Sequence, residues 1–132
     1  MDLIQLEKSN MGLDLFIEKK TRASKKLAYF RKVNFLISFI EDYYGIGVGN
    51  GKDVVIDKDC ITELYIRCVQ VLQNHSLAEK LLPTQEGFFF GNTDYNDNYF
   101  HDVEDVRDVC INLLDEFRNL KSDEYIVFNI SY

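Results

Sequence analysis

From Gly12 to Lys19 (GLDLFIEK) apolar and polar positions alternate. Leu13, Leu15 and Ile17 point one way, while Asp14, Phe16 and Glu18 point the other. That period of two predicts a half-buried strand. From Ser24 to about Tyr44 the spacing changes. Leu27, Phe30, Val33, Ile37, Ile40 and Tyr44 recur at helical intervals, with Tyr29, Phe35, Leu36 and Phe39 on the flanks. With Ser24 as N-cap, this predicts one long helix wrapped on most sides. Arg31, Asn34 and Ser38 interrupt it as a polar seam on one face. GIGVGNGK, residues 45–52, reads as a connecting loop, because neither glycine-rich phosphate pattern is satisfied.

Val54 to Ile56 predicts a short strand. Asp57 or Asp59 is placed to cap the next helix, to about Asn74, whose apolar face is Ile61, Leu64, Tyr65, Cys68, Val71 and Leu72. Ser76 starts a short helical turn that Pro83 stops. Phe88 to Phe90 reads as a short buried strand or extended segment. From about Asp97 to Leu120, Tyr99, Val103, Val106, Cys110, Leu113, Phe117 and Leu120 form the cleanest helical stripe. Acids crowd its first turns, and Arg118 and Lys121 lie near its end, both favourable to the helix dipole. Glu124 to Tyr132 is a strand with Ile126, Phe128, Ile130 and Tyr132 on one face, expected to pair with the first strand. The sum is an α+β fold, with three main helices packed on a small, mostly antiparallel sheet. At 132 residues one domain is expected, compact over residues 11–132, with Met1 to Asn10 as an N-terminal extension.

A net charge of −7 and a pI near 4.8 turn the reading away from direct nucleic-acid binding and from anionic membranes. Met1 to Asn10 has no continuous apolar core of the signal-peptide kind, and no apolar run approaches a membrane span. Cys60, Cys68 and Cys110 are odd in number and fall among apolar neighbours, which predicts buried free thiols in a reducing cytoplasm. The oligomeric state stays open, a homo-oligomer included.

Little catalytic chemistry is legible. His75 sits at a helix end, and His101 lies beside Asp102 with no serine or cysteine in a readable relation to it. Asp94, Asn96, Asn98, Asp102 and Asp105 match several ligand slots of an EF-hand loop, but Tyr99 stands where the sharp turn requires glycine. Neither an enzyme, a metal nor a cofactor is expected. The segment GFFFGNTDY, residues 87–95, has two readings. If it is extended, Phe88 and Phe90 face one side and Phe89 the other. Phe89 would then wall a cleft rimmed by Asn92, Thr93, Asp94 and Tyr95, suited to a flat ligand such as a nucleobase. The alternative is a core strand followed by a polar turn and a helix cap.

Three pieces of the chain, MGLDLFIEKK (11–20), AYFRKVN (28–34) and LLPTQEGFFFGNTDYNDNYFHDV (81–103), together resemble a family of small uncharacterised proteins encoded by bacteriophages. The resemblance implies a phage or prophage origin, a compact α+β fold, a place in the host bacterial cytoplasm, and residues 1–10 as an extension. It puts Tyr29, Arg31, Lys32 and Asn34 among the motif positions, with Gly87 to Gly91, Thr93 and Tyr95. Phe30 and Phe39 stand where the family has tryptophan, and Ile37 where it often has histidine. If that histidine carries a function, this chain lacks it.

Small, single-domain phage proteins often act by binding, so the resemblance implies a non-enzymatic accessory protein that counteracts host defence. In one form it sequesters a nucleotide-type immune signal, with Tyr29, Arg31, Lys32, Asn34, Phe89, Asn92, Thr93 and Tyr95 as ligand-binding residues. Arg31 and Lys32 would meet phosphate, and Phe89, Tyr29 and Tyr95 would stack on a ring. In a second form it is an acidic inhibitor resembling acidic anti-CRISPR proteins. It would then cover a basic groove of a host defence nuclease with Asp94, Asp97, Asp102, Glu104, Asp105 and Asp108. A third form is a structural or regulatory phage protein without a ligand.

Overall fold

The alternating segment forms strand β1 (Asp14–Lys20), and the chain then folds back over Thr21–Ala23 into a second strand, β2 (Ser24–Arg31). The structure, a computed structural model, describes residues 12–87 and 90–132. The expected extension and the side chains of Phe88 and Phe89 therefore lie outside the described residues. After β2 come helix α1 (Phe35–Tyr44), strand β3 (Val54–Ile56) and helix α2 (Lys58–Gln73). A 3-10 turn (His75–Leu77) leads into the short helix α3 (Ala78–Leu81). A long loop, helix α4 (Asp97–Arg118) and strand β4 (Tyr125–Ser131) complete the order. The strands make one antiparallel sheet in the order β2-β1-β4-β3. The fold is α+β, as the sequence predicts.

The single long helix over Ser24 to Tyr44 is corrected by the structure. Its first part is β2, and only Phe35 onward is helical. Two irregularities disguise the strand's period of two. Ile17 pairs with Ala28 but Glu18 pairs with Lys26, so Leu27 is an extra residue in a bulge. Lys32 then adopts a left-handed backbone at φ 58°, which turns the chain toward α1. The bulge and the corner shift the apolar residues to intervals of three and four that mimic a helix. Inside the strand alternation holds, with Phe30 buried opposite Leu15 and Tyr29 exposed opposite Phe16. The strand wins because β1 is central: β2 and β4 occupy its two edges and satisfy its backbone groups on both sides.

The remaining elements follow their sequence signals. Asp57 caps α2 by accepting from the Cys60 N–H at 2.9 Å. Gly45 closes α1 in the left-handed conformation that its Cβ-free backbone favours, at φ 64°. The Asn74 side chain, not Ser76, caps the 3-10 turn. Helices α2 and α4 pack side by side, bringing Cys60, Cys68 and Cys110 into a shared interior as free thiols. Burial pushes the Cys60 and Cys68 thiols up to about 12. One apolar cluster joins Leu15, Ile17 and Phe30 of the hairpin to Phe39, Leu64, Val106 and Phe128. Tyr132, expected on the inward face of the last strand, is instead 40% exposed just past its end. No helix among the described residues is long and apolar enough to cross a membrane.

The alternation in β2 has a measurable consequence. Phe30→Ala should destabilise by about 3–5 kcal/mol, the usual cost of truncating a core aromatic. Tyr29→Ala, one residue earlier but on the solvent side, should cost about 1 kcal/mol or less. Urea unfolding midpoints of the two variants test the assignment, because equal losses would contradict a strand here.

Candidate functional site

The corner between β2 and α1 and the loop from Pro83 to Asn96 meet around one side chain. Asn34 is the only buried polar residue among those described, with 3% of its surface exposed. Its Nδ2 donates to the carbonyls of Phe90 (2.9 Å) and Asn92 (3.1 Å), and its Oδ1 accepts from the Gln85 N–H (3.1 Å). Both loop limbs are thereby fixed to the start of α1. The loop also ties itself together. Thr84 Oγ1 donates to the Thr93 carbonyl at 2.9 Å, and the Thr84 N–H donates to the Tyr95 hydroxyl at 3.2 Å. Tyr99, at the start of α4, donates its hydroxyl to the Leu82 carbonyl at 2.7 Å. Phe90 is buried, with its ring edge-on to Tyr132 and lying where a Cβ on Gly87 would collide with it.

A cleft of about 150 Å³ opens beside this web. One wall is the corner, Arg31 and Lys32. The other is Asn92, Asp94, Asn98 and Asp102, from the end of the loop and the start of α4. Lys32 holds its left-handed backbone while its N–H donates to the Leu13 carbonyl at 2.8 Å and its stem lies on Gly91. A non-glycine residue in this region stores about 1–2 kcal/mol of strain. Arg31 leans back over Gly12, where a Cβ would displace the guanidinium. Asp102 is half-buried, and burial, helped by Asp105 and opposed by His101, pushes its carboxyl up to about 6.

The expected ligand-binding residues divide. Arg31, Lys32, Asn34 and Asn92 line this cleft. The hydrogen bonds of Asn34 are committed to the loop backbone. Thr93 and Tyr95 serve the loop's internal bonds, and the Tyr95 ring packs edge-on against Tyr99 at 5.0 Å. Tyr29 lies on the exposed side of the sheet, donating to Asp14 at 2.6 Å and packing on Phe16. Phe89 lies outside the described residues. Arg31, Asn34 and Ser38 do not share a helix face, yet Ser38 also reaches the loop, donating to Gln85 Oε1 at 3.1 Å. Thr84, Asn98 and Tyr99 are cleft residues that sequence reasoning missed. Only the packing of a loop against a distant corner brings them in.

The acidic set is more coherent. Asp97, Glu104 and Asp108 follow one another along α4, with Asp105 one step round the helix and Asp94 just before it, while the half-buried Asp102 turns toward the cleft. Among the described residues only Asp108 of these has a paired cation, Arg107, at 3.0 Å. His75 stacks flat on Phe100, their ring centres 3.7 Å apart, and His101 is exposed. No group of three or more His, Cys, Asp or Glu placed to hold a metal ion occurs among the described residues.

Two substitutions probe this region. Asn34→Ala should cost about 2–4 kcal/mol, because it leaves buried backbone partners unsatisfied. Asn34→Asp should not rescue it, since a carboxylate cannot donate to two carbonyls. Chemical denaturation reads both. For Asp102 the folded-state pKa lies above its usual value, so the native state holds the extra proton between about pH 4 and 6. Its contribution to stability is therefore full below that window and lost as pH rises through about 6. Asp102→Asn should raise the melting temperature at pH 7, and the gain should shrink toward pH 4.

No protein-family model matches the chain, and no curated protein or solved structure matches it either.

Proposed function

We propose that the protein is a non-catalytic, phage-type antagonist of host defence that works by docking an acidic face on a basic groove of a defence nuclease. The observation that carries this is the run of carboxylates Asp94, Asp97, Glu104, Asp105 and Asp108 along the exposed side of α4 and its approach, of which only Asp108 is ion-paired among the described residues. Intramolecular ion pairing does not account for such a row. Aligned on a rigid helix, it presents a linear negative potential of the kind that steers a basic partner into register. The net charge of −7 points the same way. The buried, neutral Cys60 and Cys68 supply no poised nucleophile. The cleft at Arg31 and Lys32 does not favour a nucleotide-sized ligand, since about 150 Å³ is small beside the roughly 300–1,000 Å³ of typical ligand pockets.

The test is a panel of purified bacterial defence nucleases assayed for cleavage with and without the protein at low and physiological salt. Inhibition of one or more, weakening as salt rises, is the expected result. The triple variant Glu104→Lys, Asp105→Lys, Asp108→Lys should slow association by about tenfold or more, because steering depends on the sign of the face. Undiminished inhibition by that variant, with its fold intact by circular dichroism, would overturn the docking face.

A further inference from the structure

A second and larger cleft, about 490 Å³, lies where α1, α2 and α3 meet the first residues of the long loop. It shares no residue with the acidic face and does not rest on the docking proposal. Its volume falls within the range that encloses a small organic ligand, about 300–1,000 Å³. Its lining is varied, and the groups separate by what they already hold. Pro83 gives apolar surface, and Phe39 lies buried behind it. Arg67 is set by its neighbours. Its Nε donates to Glu63 at 3.0 Å, its Nη1 donates to the Leu81 carbonyl at 3.2 Å, and its guanidinium lies 5.3 Å from the Phe39 ring centre. That arrangement fixes a cation rigidly against an aromatic floor. Lys80 stands exposed at the same cleft with no ion pair among the described residues.

The polar groups opposite are of a different kind. Glu41 is occupied, its Oε2 accepting from the Val48 N–H at 2.8 Å. Asp42 is exposed at the rim and has no intrachain partner among the described residues. Ser38 and Gln85 are joined to each other at 3.1 Å, and the Gln85 backbone is pinned by Asn34. The Gln85 amide is thus held in place while keeping further hydrogen-bonding capacity. One site therefore combines an arginine fixed by its pairing with Glu63, an exposed lysine, a carboxylate, a primary amide and the apolar surface of Pro83. A simple inorganic anion would use only the cations. A free carboxylate such as Asp42 is suited to accept hydrogen bonds from a sugar diol, as acidic residues do at ribose sites. A positioned amide is suited to the donor–acceptor edge of a base.

We propose that this cleft binds a nucleoside monophosphate, or a nucleotide unit of that size, with Lys80 and Arg67 on the phosphate, Asp42 on the ribose hydroxyls and Gln85 on the base edge. The test uses the full chain and four probes: the ribonucleoside monophosphates, their 2′-deoxy forms, the nucleosides, and inorganic phosphate. Calorimetry and thermal shift should show binding of at least one ribonucleotide, weaker binding of its deoxy form, and little of nucleoside or phosphate alone. Lys80→Ala, an exposed position that leaves the fold intact, should weaken the ribonucleotide by about tenfold, as loss of a charge-assisted contact does. Asp42→Asn should narrow the gap between ribo and deoxy forms. Lys25→Ala, on β2, should change nothing. No binding of any nucleotide at millimolar concentration would overturn the proposal. So would equal binding of phosphate alone, or nucleotide binding indifferent to Lys80→Ala. Each of these leaves nuclease inhibition through α4 unaffected, so the two readings fail separately.

Discussion

The side-chain amide of Asn34, buried between the β2–α1 corner and the long loop, holds these two parts of the chain in register. It sits at the exit of the hairpin corner and addresses three backbone groups on both limbs of a loop some fifty residues away. Its two ends face partners of opposite character, two carbonyls and one N–H, so the amide can lie only one way round. Through it, the geometry of the β2–α1 corner sets where the loop leaves α3 and where it delivers the chain to α4. Both clefts are defined by that loop. The first lies against its outgoing limb and α4, and the second against its opening residues Pro83 and Gln85.

This dependence explains what could be read from the sequence and what could not. Elements that owe their form to their own period were legible: β1, β3, α2, α4 and β4 fall close to where alternation, caps and amphipathic stripes put them. The segment from Ser24 to Arg31 was not, because a single bulged residue, Leu27, and a left-handed Lys32 convert a strand's spacing into a helix's. The decisive fact was nonlocal. β1 needed a partner on each edge, and the nearest available one was the segment immediately after it.

The candidate sites show the same division. The acidic row on α4 was visible as charge at helical spacing, and the structure leaves it exposed except for Asp102, which is half-buried at the cleft. The aromatic and polar residues between Gly87 and Tyr95 looked like a binding site because they combine rings, amides and hydroxyls. Much of that chemistry is turned inward, where Thr84, Thr93, Tyr95 and Asn34 satisfy one another's polar groups. A long irregular loop that packs against a core must meet its own hydrogen-bonding demand, and a motif rich in Asn, Thr and Tyr does so without any ligand. Gln85, Arg67 and Lys80, by contrast, lie on separate elements and share no pattern along the chain.

Strand β4 enters the sheet between β1 and β3, with Lys20 opposite Tyr125 and Asp14 opposite Ser131. The middle of the sheet is thus supplied by residues that emerge after everything else described. A nascent chain on the ribosome can make the hairpin and the helices early, but β1 keeps one bare edge and β3 has no neighbour until residues 125–131 arrive. Loop closure over such sequence separations is slow, and an unpaired edge is open to the wrong partner meanwhile. Completion of the sheet therefore waits on β4, and the bare edge of β1 is the place where a wrong pairing would start.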